Sequence, residues 1–144
     1  MKSILFYFIF LFSITLVFSQ QTKDEKKENS LIKDANYNQV LTKQSFAKLL
    51  TLIKTSDEVS IDLETTSVNP IDAEIVGISM SFKENEAYYI PLSHSENTPQ
   101  LQLESVLSSL KGFLENKDIH KIGQNLKYEK LVFNRYGINF QGLY

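Results

Sequence analysis

"VSIDLETTSVNP", residues 59–70, puts two acids one residue apart at the end of an apolar run, just before a turn-rich segment. Side chains at i and i+2 of a strand leave the same face. Val59, Ile61 and Leu63 therefore go one way, and Ser60, Asp62 and Glu64 the other. Two carboxylates that close raise each other's pKa unless a cation lies between them, and hard divalent cations take such oxygen ligands. The pattern alone says little: Asp72/Glu74 and Glu84/Glu86 repeat it, but beside turns, where a solvated charge explains them. Only Asp62 and Glu64 close a strand.

The surrounding segments describe an α/β chain. "SFAKLLTLI" spaces Phe46, Leu49, Leu50 and Ile53 as a helix, which Thr42 or Ser45 could cap. "EIVGISMSF", rich in β-branched residues, and "AYYIPL" flank the turn "KENE" and predict an antiparallel hairpin. "LQLESVLSSLKGFL" is an amphipathic helix through Leu103, Val106, Leu107, Leu110 and Leu114. "IHKIG" is a short strand candidate. "NLKYEKLVFNRYG" predicts a helix with Asn125 at its N-cap and Gly137 at its end, and "INFQGLY" begins another strand. The expected architecture is a mixed sheet: a strand meander, then helix, strand, helix and strand.

Of 144 residues, 42% are hydrophobic and 22% charged. That suits one domain with a real core. The chain has no cysteine, which excludes disulfides and thiolate metal sites. Its net charge of -2 excludes binding to DNA through overall basicity. Lys121, Lys127, Lys130 and Arg135 instead suggest local positive charge around the last helix. No Ser/His/Asp set, phosphate-binding glycine loop or Cys/His cluster is present. His94 sits in a polar loop, and His120 reads as a packed or edge histidine.

Residues 1–19 stand apart. Lys2 precedes an apolar run from Ile4 to Phe18, and Val17 and Ser19 occupy the -3 and -1 positions of a cleavage site. This is the layout of a secretory signal peptide. The run is short for a membrane span of about 20 residues, and if uncleaved it would be the chain's contact with a membrane. Residues 20–36 are a polar linker, and 37–144 form the domain.

The segments "DLETTS", "AEIVGISMSF", "AYYIPLSH" and "KIGQNLKYE", in that order, resemble the proofreading 3′–5′ exonuclease domain of bacterial DNA polymerase I, a member of the family A polymerases. "GQNLKY", residues 123–128, is the specific part. The resemblance covers roughly residues 36–144. It implies a ribonuclease-H-like fold in which two Mg²⁺ or Mn²⁺ ions, about 3.5–4 Å apart, hydrolyse phosphodiesters. It assigns catalytic and metal-binding roles to Asp62, Glu64 and Glu129, and substrate contacts to Thr65, Val68, Gln124 and Asn125. It further implies a single-stranded DNA 3′ end as substrate and a monomer as the working form.

Two departures accompany the resemblance. The family carries Asp where this chain has Glu129, and its Tyr-x-x-x-Asp motif on a later helix is absent before Tyr144. The resemblance thus implies a domain incomplete at its C-terminus, weak or inactive as a nuclease. A non-catalytic nucleic-acid-binding or structural remnant of that domain is the alternative. A replication exonuclease belongs in the cytoplasm, whereas the N-terminus points to export.

Overall fold

The computed structural model describes residues 35–93 and 99–144. The segment expected to be an export signal, nearly all of the expected linker, and His94 lie outside these residues. Eight elements follow in order: β1 (Asn36–Gln39), α1 (Lys43–Lys54), β2 (Glu58–Thr65), β3 (Ile75–Lys83), β4 (Glu86–Pro91), α2 (Leu103–Leu114), β5 (His120–Ile122) and α3 (Leu126–Arg135). They build a five-stranded sheet ordered β1-β4-β3-β2-β5. The β2–β3 and β3–β4 pairs are antiparallel, and β1–β4 and β2–β5 are parallel. The expected meander and mixed sheet are present.

Local chemistry fixes several boundaries. Thr42 caps α1 through a reciprocal pair: its hydroxyl accepts from the Ser45 N–H at 3.1 Å, and its own N–H donates to Ser45 Oγ at 3.1 Å. Both residues named as cap candidates take part. Asn85, at φ 60°, turns the β3–β4 hairpin in the left-handed region that Asn tolerates. The Lys83–Glu86 ion pair at 3.1 Å closes its ends.

Three expectations change. Asn36–Gln39 forms β1, a polar edge strand with no hydrophobic alternation to announce it. "INFQGLY" does not become a strand; only Leu143 bridges to Lys121. Lys121 is not surface charge. It is fully buried on β5, donates through Nζ to the Asn116 carbonyl, and lies 5.1 Å from the Phe113 ring centroid. Desolvation lowers its pKa to about 8.

The two faces of the sheet differ. Ile61 pairs with Met80 and Leu63 with Ile78, which in turn faces Ile90. This apolar face joins one continuous core with Leu49 of α1, Leu110 of α2 and Phe133 of α3. The opposite face carries Ser60, Asp62 and Glu64 on β2, paired with Ser81, Ser79 and Gly77 on β3. Ser60, Ser79 and Ser81 on that face are buried, whereas Asp62 and Glu64 are only half-buried.

Candidate active site

β2 runs between β3 and β5, so Asp62 and Glu64 stand on an interior strand. The β2–β3 register shifts between Glu64 and Thr65. Such a bulge bends a strand and re-aims its side chains, and bulges gather beside functional sites. A cleft opens there, lined by Asp62, Glu64, Thr65, Val68, Asn125 and Glu129, with Leu63, Thr66, Ser67 and Tyr128 completing the wall. Its volume is about 450 Å³. The cleft therefore brings together six of the seven residues singled out from the sequence. Gln124 is exposed and not part of the wall.

The electrostatics of this cleft are unusual. Burial raises the Asp62 carboxyl to about 6, helped by the charge on Glu64. Burial likewise raises Glu129 to about 7, with a further contribution from Asp62 and an opposing one from a backbone hydrogen bond. Glu129 is 2% exposed, and its Oε2 has no hydrogen-bond partner among the described residues. None of the lining residues is cationic. Buried carboxylates normally sit beside a positive group or a metal. In kind, this donor set fits a hard divalent cation. In number it falls short: among the described residues, no three acids or histidines converge closely enough to hold one ion.

Acids of the other two pairs are held by neighbouring groups away from the cleft. Glu86 meets Lys83 and accepts from the Tyr88 hydroxyl at 2.9 Å. Glu74 meets Arg135 at 3.3 Å and accepts from the Tyr136 hydroxyl at 2.9 Å. Asp72 accepts from the Asn69 amide at 2.6 Å.

Around the acids, Thr65 Oγ1 lies 2.5 Å from the Tyr128 hydroxyl, which also lies 2.5 Å from the Ser67 carbonyl. Sequence reasoning did not assign Tyr128 a role. The available signal was its place beside Glu129 in "GQNLKYE", one step around the same helix. Val68 is 96% exposed on the cleft rim. Asn125 occupies the N-cap position of α3, yet its side chain makes no capping bond. Its carbonyl instead receives the N–H of Tyr128 at 2.8 Å and of Glu129 at 3.3 Å. Arg135 donates to the carbonyls of Ala73 and Pro70, so it serves the loop after β2.

A profile of 3′–5′ exonucleases matches residues 37–144. DNA polymerase I of Pseudomonas aeruginosa is 36% identical over 104 residues, 71% of this chain and 11% of its own length. DNA polymerase I of Borreliella burgdorferi is 30% identical over 124 residues, 81% of this chain and 13% of its own length. The chain thus spans little more than a tenth of the curated relatives it matches. Trypanosoma brucei RNase D, solved with RNA U12, superposes with a TM-score of 0.61 at 13% identity over 83% of this chain and 40% of that one, which shows a shared fold. The matched segment spans the whole cleft, and the chain belongs to the family of 3′–5′ exonuclease domains found in DNA polymerase I.

Proposed function

We propose that residues 37–144 form a divalent-metal-dependent 3′–5′ exonuclease domain directed at DNA 3′ ends, with low activity in this chain. The observation that carries it is the set of carboxylates, Glu129 buried and Asp62 and Glu64 half-buried, that line one cleft without a cationic side chain in its lining. Asp62, Glu64 and Glu129 would hold Mg²⁺ or Mn²⁺. When bound, such ions supply the Lewis acidity that ionises water and offsets charge on a leaving oxygen.

The chain's own residues handle the substrate. The N-terminus of α3 opens onto the cleft beside Asn125, and free backbone N–H groups there suit a phosphate. Val68 offers an exposed apolar surface at the rim for the face of a base. Thr65, held by Tyr128, fixes the start of the loop that carries Val68. Low activity is expected because Glu129 is one methylene longer than Asp, and productive geometry tolerates shifts of only about 0.5 Å.

The test uses single-stranded DNA labelled at its 5′ end, incubated with the purified chain and Mn²⁺. Slow shortening from the 3′ end is expected, and Asp62→Ala should abolish it. Shortening no faster than in Asp62→Ala would overturn the nuclease reading. A second reading, a non-catalytic nucleic-acid binder, is favoured by the lack of a three-acid cluster among the described residues. DNA retained on the protein without degradation would select it.

A further inference from the structure

β3 bears a glycine at the position where its neighbours carry side chains toward the acid face. Gly77 is the cross-strand partner of Glu64 on β2 and of Pro91 on β4. A Cβ at Gly77 would collide with the Tyr89 hydroxyl, and would come within 2.6 Å of the ring carbon that bears it. Backbone conformation does not explain the glycine: among the described glycines, positive φ is found at Gly137 and Gly142, not at Gly77. Space does.

Tyr89 lies opposite Ser79, which lies opposite Asp62. Its ring, 5% exposed, therefore reaches diagonally across bare Gly77 backbone toward the row that holds Glu64. The Tyr89 hydroxyl thus stands over the backbone of the residue paired with Glu64. A buried tyrosine keeps its hydroxyl where that hydroxyl has work that phenylalanine could not do.

We propose that Tyr89 is a positioning residue, whose hydroxyl, laid over Gly77, orients the Glu64 carboxylate beside Asp62. The consequence for catalysis rests on the nuclease reading above; the orientation itself does not. Groups that orient a metal-holding side chain without touching the metal change affinity or activity by about 10–100-fold when removed.

Tyr89→Phe tests this with the smallest change, since the ring still fills its space. In the metal-free full chain, the side-chain couplings of Glu64 in NMR should report one conformer for the native protein and averaging for Tyr89→Phe. Mn²⁺ affinity, read by electron paramagnetic resonance of the free ion, should fall about 10-fold. DNA degradation should lose kcat with little change in KM. Gly77→Ala, which evicts the ring from the other side, should produce the same Glu64 averaging, and the double variant should add little. A Glu64 conformer unchanged in Tyr89→Phe overturns the proposal, whatever the activity. Glu64 averaging in Tyr89→Phe, in a chain that degrades no DNA, upholds the positioning role and discards the nuclease reading.

Discussion

At the scale of single residues, the cleft stores an electrostatic penalty. Asp62 and Glu129 titrate near 4 in an unfolded chain, but near 6 and 7 in the fold. Between those values the folded chain retains protons that the unfolded chain releases. Stability therefore falls as pH rises from about 4 to 7, and the full penalty is present above 7. Without divalent metal, the protein should be more stable to urea at pH 5 than at pH 8, by on the order of 2 kcal/mol. Glu129→Gln should flatten that slope; an unchanged slope would mean that Glu129 binds no more protons in the fold than in the unfolded chain. Saturating Mn²⁺ at pH 8 should restore the melting temperature of the native chain and do less for Asp62→Ala.

At the scale of elements, α3 is the strap that organises the loop after β2. Tyr128 serves Thr65 and Ser67 at one end, and Arg135 and Tyr136 serve Ala73, Glu74 and Ile75 at the other. Tyr128→Phe removes one hydroxyl that serves two partners. Amide hydrogen exchange should quicken across residues 66–72 while the rest of the sheet keeps its protection. Uniform quickening would show instead that Tyr128 supports the whole fold. At the other side of the domain, Thr42→Ala breaks the capping box of α1 and should cost about 1 kcal/mol in thermal or urea unfolding. DNA degradation should be unaffected, because α1 contributes nothing to the cleft.

At the scale of the molecule, one core supports every element that reaches the cleft. Phe133 of α3 is fully buried, its ring centroid 5.0 Å from that of Phe140. Phe133→Ala should cost about 3–5 kcal/mol, enough to unfold a domain of ordinary marginal stability. Circular dichroism would show this as lost cooperativity.

How much of this was readable beforehand follows from the range of the interactions involved. Periodicity revealed α1, α2, α3 and the β3–β4 hairpin, because alternation and 3–4 spacing are local consequences of which side meets the core. β1 was invisible, since a four-residue polar edge strand owes its existence to the backbone of β4 and not to its own side chains. Lys121 was misjudged for a similar reason: the Asn116 carbonyl and Phe113 ring that accommodate its ammonium belong to other elements.

The sequence by itself determined the mixed α/β fold, the strand that bears Asp62 and Glu64, and the family, because "DLET" and "GQNLKY" record local geometry in local spacing. Only the tertiary structure decided that Glu129 lines the same cleft as Asp62, that Gln124 stays outside it, and that the Tyr89 ring lies over Gly77. Those outcomes depend on strand register and on the seating of α3. Both are set by packing between segments some 10–63 residues apart in the chain, a distance over which periodicity carries no information.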